Sequence, residues 1–201
     1  MKRILTTCLL AASALLGGCA GMRIVDSQVS AIASAPAGLQ LQGARYRFER
    51  LPSQANNAEI GLAEQQAEQA MAAVGLVRDD ARAQLSVLVG LQSSVYMYDP
   101  YFRPGYSPWR PSGSLMLGRG GPYGWGWGWG MHLPPPTDYR REVSLVMRDL
   151  RSGQVVYETR ASHSGVWNDS EVIFATLFKA ALANFPNPPA GVQRINIEIP
   201  R

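Results

Sequence analysis

Hydrophobic and polar residues alternate along several stretches of the chain and recur at helical spacing along two others. In RYRFERL (45–51), Tyr46 and Phe48 fall on one side and Arg45, Arg47 and Glu49 on the other, which predicts a half-buried strand ended by Pro52. In the stretch that follows, Ile60, Ala63, Ala67, Ala70, Met71 and Val74 form a narrow apolar stripe, while Glu64, Gln65, Glu68 and Gln69 are expected to face water. Asn56 with Glu59 three residues on suits a helix start, and Gly75 suits its stop. A stripe this rich in alanine predicts close packing on a sheet. AQLSVLVGLQSSVYMY (83–98) reads as a long strand, with Leu85, Val87 and Val89 alternating against Ser86, Leu88 and Gly90.

REVSLVMRDLRSGQVVYETRASHS reads as a hairpin: Val143, Leu145 and Met147 lead to a turn at Arg151-Ser152-Gly153, and Val155, Tyr157 and Thr159 return. Asp149 sits where its side chain can accept from the turn backbone. A second helix is predicted over 168–186, capped by Asn168 with Glu171 or by Asp169. Its broad apolar face holds Phe174, Leu177, Phe178, Ala181, Leu182 and Phe185, and Pro186, Pro188 and Pro189 stop it. QRINIEI (193–199) turns Ile195, Ile197 and Ile199 inward as a last strand. Ahead of all these, MRIVDSQVSAI predicts a strand pairing at a sheet edge, followed by the small-residue tether ASAPAGLQLQGA. This order predicts an α+β fold: a two-layer, mainly antiparallel sheet of about five strands with two helices on one face.

The N-terminus reads differently. Lys2 and Arg3 precede an apolar run from Ile4 to Leu16, thirteen residues that are too short to span a bilayer and suited to a signal peptide. The run closes in LLGGC, which resembles the bacterial lipobox: Leu16, the small Gly17 and Gly18, then Cys19. The resemblance implies removal of residues 1–18, a diacylglyceryl thioether on the Cys19 sulfur and a further acyl chain on its amine. One buried acyl chain holds a protein only marginally, whereas two or three hold it firmly. Ala20, rather than aspartate, follows Cys19. By analogy with enterobacterial sorting, this favours the outer membrane with the domain on its periplasmic face. Cys8 would leave with the signal, so the mature chain would keep a single, lipidated cysteine with no disulfide and no free catalytic thiol.

Composition then narrows the partners. Without Lys2 and Arg3, the Lys+Arg count falls from 19 to 17 against 15 acids, so the mature charge is only +2. No run of basic residues with interleaved aromatics is present, and nucleic acid is not an expected partner.

Residues 96–139 carry 11 of the 18 aromatics together with 9 glycines and 8 prolines, a composition shift that reads as a long insertion between two sheet strands. Within it, GPYGWGWGWG sets Trp125, Trp127 and Trp129 on alternate residues with only glycine between. Burying three indoles and fixing so much glycine backbone are opposing terms of similar size, so the segment orders only where something buries all three rings. That surface is the domain's own sheet, an envelope protein partner, the membrane interface or a glycan on which the rings stack. Trp125, Trp127 and Trp129 are therefore the candidate binding surface.

No catalytic constellation emerges. Ser162, His163 and Ser164 lie near Asp169 in sequence, but on a strand His163 points away from both serines. No G-x-S-x-G elbow is present. Met97, Met116, Met131 and His132 repeat no ligand spacing, so neither a metal nor another cofactor is expected. Asp79 and Asp80 read as a solvated turn, and the glycines of 118–130 lack the lysine and the strand–loop–helix frame of a phosphate cradle.

The lipobox at Cys19, ARYRFERLP, VGLVRDDARAQLSVLVGL, the hairpin VSLVMRDLRSGQVVYETRASHSG and the closing NFP together resemble bacterial lipoproteins carrying domain of unknown function 4136. The likeness covers about residues 24–199. The chain departs from it at Ala83-Gln84, where relatives often have alanine then aspartate, and at Tyr157, where many have tryptophan. The resemblance implies architecture and location but no activity. The expected organisation is a cleaved signal at 1–18, a lipidated N-terminus with tether and edge strand at 19–44, and a periplasmic domain at 45–201. The expected function is a lipid-anchored, non-catalytic binding or structural module of the cell envelope. The alternative is a peptidoglycan- or glycan-binding, or glycan-acting, protein that uses the tryptophans.

Overall fold

The computed structural model describes residues 21–36, 38–97 and 137–200. Among these, seven strands make one sheet with two α-helices. In chain order they are β1 (Met22–Ala33), β2 (Arg45–Glu49), α1 (Ala58–Ala73), β3 (Val77–Arg78), β4 (Leu85–Met97), β5 (Thr137–Asp149), β6 (Val155–Gly165), α2 (Ser170–Ala181) and β7 (Val192–Pro200). Across the sheet the order is β3-β2-β4-β5-β6-β1-β7.

The α+β class holds, but the sheet is larger and more mixed than five antiparallel strands. β2 pairs in parallel with both β3 and β4, while β4, β5, β6, β1 and β7 form an antiparallel run. Helix α1 causes the parallel corner. It carries the chain back along the sheet, so the strand after it enters in the direction of β2. A second correction concerns β1, which lies one strand inside the edge, between β6 and β7. The C-terminal strand β7 takes the edge instead.

Alternation along the strands sorts their side chains by face. Val25 and Val29 of β1, Tyr46 of β2, Leu85, Val87 and Val89 of β4, Val143, Leu145 and Met147 of β5, and Tyr157 and Ala161 of β6 are buried on the helix-covered face. Arg148, Glu158, Arg160, Gln28 and Ser30 turn to the opposite face and are exposed. A β-bulge between Met147 and Arg148 of β5 and Tyr157 and Val155 of β6 leaves Val156 as the extra residue, so two consecutive side chains, Val156 and Tyr157, are buried. Tyr157 packs edge-on against Phe185 at 5.0 Å, and burial pushes its hydroxyl up to about 12.

The helices cover this face with the stripes expected of them, adjusted in three places. In α1, Ile60, Ala63, Ala67, Ala70 and Met71 are buried, and so is Glu64. Glu64 escapes the expected contact with water because Arg50 folds over it, donating from Nε to Oε1 at 2.7 Å and from Nη2 to Oε2 at 2.6 Å. Asn57, not Asn56, caps this helix, its side chain accepting from the Glu59 N–H at 2.9 Å. Asp169 holds the N-cap position of α2 but makes no side-chain cap bond, because Arg23 engages its carboxylate. The tight turn after β5 follows the sequence expectation. Asp149 accepts from the N–H groups of Arg151 and Ser152, each at 3.2 Å, and from the Ser152 hydroxyl at 2.7 Å. Gly153 completes the turn at φ +73°, a left-handed conformation suited to glycine.

Candidate functional site

The residues singled out in the sequence fall into two groups. Cys19, Trp125, Trp127, Trp129, Met116, Met131 and His132 lie outside the described residues. The strands on either side of them show where the chain enters and leaves the sheet. Met22 pairs with Pro200 at the start of β1, and Met97 pairs with Thr137 where β4 ends and β5 begins. Because β4, β5, β6, β1 and β7 alternate in direction, the start of β1 and the β4–β5 connection lie at the same end of the sheet.

The second group is visible and centres on His163. Its Nδ1 lies 2.7 Å from the Asp26 carbonyl, which can only accept, so Nδ1 carries the hydrogen. Nε2 is buried and has no hydrogen-bond partner among the described residues. As the alternation required, His163 turns to the helix-covered face and Ser162 and Ser164 turn away, so these three form no triad. Asp169 serves Arg23 instead.

What the sequence reading passed over is the row in which His163 stands. Arg141 of β5 is its direct cross-strand neighbour. The β1–β6 register, continued one pair from Gln28 opposite Ser162, sets Ser27 on its other side. Ser27, Arg141 and His163 are 0%, 1% and 7% exposed, a polar row inside a mainly apolar layer. The signal was present in the alternation itself. Arg141 has the parity of Val143, Leu145 and Met147, Ser27 that of Val25 and Val29, and His163 that of Ala161.

Arg141 is held on two sides. Its Nε donates to the Ser170 hydroxyl at 2.9 Å, at the first residue of α2, and its guanidinium carbon lies 5.1 Å from the centre of the Tyr139 ring. Among the described residues, Nη1 and Nη2 are buried without hydrogen-bond partners. Desolvation pulls its pKa down, partly opposed by the nearby Asp169 charge. Arg23 of β1 completes the cluster. It grips Asp169 through both terminal nitrogens, lies 5.1 Å from the centre of the Trp167 ring, and keeps a buried Nε without a partner. The bond from Arg23 holds the Asp169 carboxyl below the usual carboxylate range, helped by the charges of Arg23 and Arg141. Two guanidiniums and the positive end of α2 thus face one carboxylate.

An open groove of about 500 Å³ beside α1, lined by Arg50, Glu64, Leu62 and Arg78 among others, is electrostatically quieter. Arg50 is paired with Glu64 and Arg78 with Glu68, so its charges are matched internally. Among the described residues no group of three or more His, Cys, Asp or Glu side chains is placed to hold a metal, and no helix is long and apolar enough to cross a membrane.

Comparison with known proteins adds the family. No curated protein matches the chain. Among solved structures it is similar to a PDZ domain protein from Parabacteroides distasonis, at 12% identity and a TM-score of 0.48, covering 94% of this chain and 42% of that one. The chain thus spans less than half of that protein's length. It is also similar to PelC from Paraburkholderia phytofirmans, a dodecamer in two crystal forms, at 11% identity and TM-scores of 0.47 and 0.46, covering 81% of this chain and 99% of that one. The family model described as "Domain of unknown function (DUF4136)" matches residues 37–187, from the tether through the second helix, and the chain belongs to that family.

Proposed function

We propose that the chain is a lipid-anchored lipoprotein of the cell envelope, held through Cys19 in the outer membrane, with its domain on the periplasmic face acting as a non-catalytic binding or structural module. The observation that carries this reading is the shared end of the sheet. Met22 follows Cys19 by only three positions, a reach of roughly 10 Å at about 3.3–3.6 Å per residue. A lipid on Cys19 would therefore hold that end against the bilayer, together with both points where the 98–136 segment joins the sheet.

The surface there suits such a position. Met22, Ile24, Val95, Tyr96 and Val166 are exposed at this end, and aromatic and aliphatic side chains are favourable at a membrane interface. The tryptophans at 125, 127 and 129 would then act next to the membrane, on a partner brought to it or on the interface itself. Radiolabelled palmitate tests the anchor: it should enter the wild type and not Cys19→Ala, and label in that variant would reject the assignment. Crosslinking in cells tests the binding role. A partner captured by the wild type should be lost when Trp125, Trp127 and Trp129 are all changed to serine in a protein shown to be folded and lipidated.

A further inference from the structure

We infer that the cluster beneath the first turn of α2 is a binding site for a small oxyanion of the phosphate class, built by Arg141 and His163 with Ser170 and Arg23. This goes beyond the anchoring proposal and does not depend on it. Three observations carry it.

The first is an unmatched charge. Arg141 is 1% exposed, yet both terminal nitrogens lack a hydrogen-bond partner. A guanidinium stays protonated, and a buried charge without compensation is among the most costly features a fold can hold. Several less buried arginines sit against acids, Arg50 with Glu64, Arg78 with Glu68 and Arg45 with Asp79, whereas Arg141, the most buried arginine among the described residues, forms no such ion pair. Its planar fork, with four unused N–H bonds, fits the paired oxygens of a phosphate or carboxylate.

The second is convergence. His163, next to Arg141 across the strands, also has a buried ring nitrogen without a partner. With Nδ1 committed to the Asp26 carbonyl, Nε2 accepts when the ring is neutral and donates when it is charged. It therefore suits either the hydroxyl or an oxygen of hydrogen phosphate. Gly165 lies beside this nitrogen and offers no side chain, since a Cβ there would stand 2.9 Å from Nε2. A larger residue at 165 would collide with the ring nitrogen, so glycine is what lets Nε2 keep this position. The Ser170 hydroxyl and the N-terminal end of a twelve-residue helix complete a frame that favours negative charge.

The third is the internal competitor. Asp169, with 35% of its side chain exposed, already supplies one negative charge to the same cluster through Arg23. It has given up capping α2 to do so. Asp169 thus stands partly exposed beside the site, and an entering oxyanion competes with its carboxylate for Arg23 and for the nearby charge of Arg141.

The test uses the purified full chain and inorganic phosphate titrated at constant ionic strength against chloride. Thermal midpoint is one readout, and the ring-nitrogen NMR signals of the chain's two histidines are another. Phosphate should raise the midpoint saturably and move the His163 signal while leaving that of His132 in place. Arg141→Met, which removes charge but keeps bulk, should weaken phosphate at least about tenfold. Asp169→Asn, which removes the competitor, should tighten it several-fold. Vesicles of phosphatidylcholine with and without phosphatidylglycerol identify the source: a response to phosphatidylglycerol alone assigns the same chemistry to a lipid headgroup, and a response to inorganic phosphate assigns it to a free anion. No response to either probe, an equal response in Arg141→Met, or weaker phosphate binding in Asp169→Asn would overturn the proposal. If Arg141→Met does not fold, the wild-type histidine signals decide alone: movement of His163 without His132 supports the site, and any other pattern rejects it.

Discussion

The Thr159 hydroxyl donates to the Ala181 carbonyl across 2.8 Å, joining the middle of β6 to the last residue of α2 inside the core. The last carbonyls of a helix have no partner within it, and a buried one must find a donor elsewhere. Thr159→Val keeps the shape and removes the donor, leaving a buried acceptor unsatisfied. It should cost about 1–3 kcal/mol, read as a lower urea midpoint at unchanged denaturant slope.

The faces of α2 should respond very differently to truncation. Phe178 is fully buried against the sheet, whereas Val172 is 43% exposed on the same helix. Phe178→Ala should destabilise by about 3–5 kcal/mol, through lost burial and the cavity left behind. Val172→Ala should stay within about 0.5 kcal/mol. Calorimetric midpoints of the two variants check this directly.

Gly153 and Gly90 separate two reasons for a glycine. At Gly153 nothing lies near an added Cβ, but φ is +73°, so Gly153→Ala should cost about 1–2 kcal/mol from the backbone alone. At Gly90 an added Cβ would meet only the Ser144 hydroxyl, which can rotate away. Gly90→Ala should therefore cost less than Gly153→Ala when both are measured by thermal denaturation.

Acid should weaken the hairpin through Asp149. The Ser152 hydroxyl and the Arg151 and Ser152 amides favour its ionised form and hold its pKa below the ordinary value. A depressed carboxylate contributes its stability above the unfolded value of about 3.9 and loses it as pH falls through the lower folded value. Asp79 and Asp169 shift in the same direction and add to the acid limb. In Asp149→Asn the loss of stability on acidification should be shallower than in the wild type, while stability at neutral pH is lower. A parallel pH profile for the two proteins would contradict this.

Arg141→Met should raise stability in phosphate-free buffer, because it removes a buried charge whose terminal nitrogens have no partners. The same substitution removes the proposed phosphate response, so stability and binding should move in opposite directions. A midpoint at or below that of the wild type would mean that the bond to Ser170 and the stacking on Tyr139 outweigh the burial of the charge.

Alternation and helical spacing were enough to foresee β2, β4, the β5–β6 hairpin, β7 and both helices, because each carries its own apolar face in a contiguous stretch. β3 was not legible: Val77 and Arg78 are too few to show a period, and both are exposed. Glu64 looked solvated because its burial depends on Arg50, outside the helix that its spacing describes. The polar row was half legible. Parity alone turned Arg141, His163 and Ser27 inward, but their meeting depends on the registers of three strands, which no local pattern encodes. The parallel pairings of β2 were hidden for the same reason.

The interior position of β1 also has a mechanical meaning. Nine register pairs tie it to β7 and six to β6, and residues Gln28, Val29 and Ser30 are held from both sides. Tension applied ahead of Met22 runs along the strand, so it loads both ladders in shear, with many bonds sharing the force. The same pull on an edge strand from the side would peel bonds one at a time. A chain drawn from its N-terminus is thus gripped by the part of this sheet best arranged to resist being pulled out.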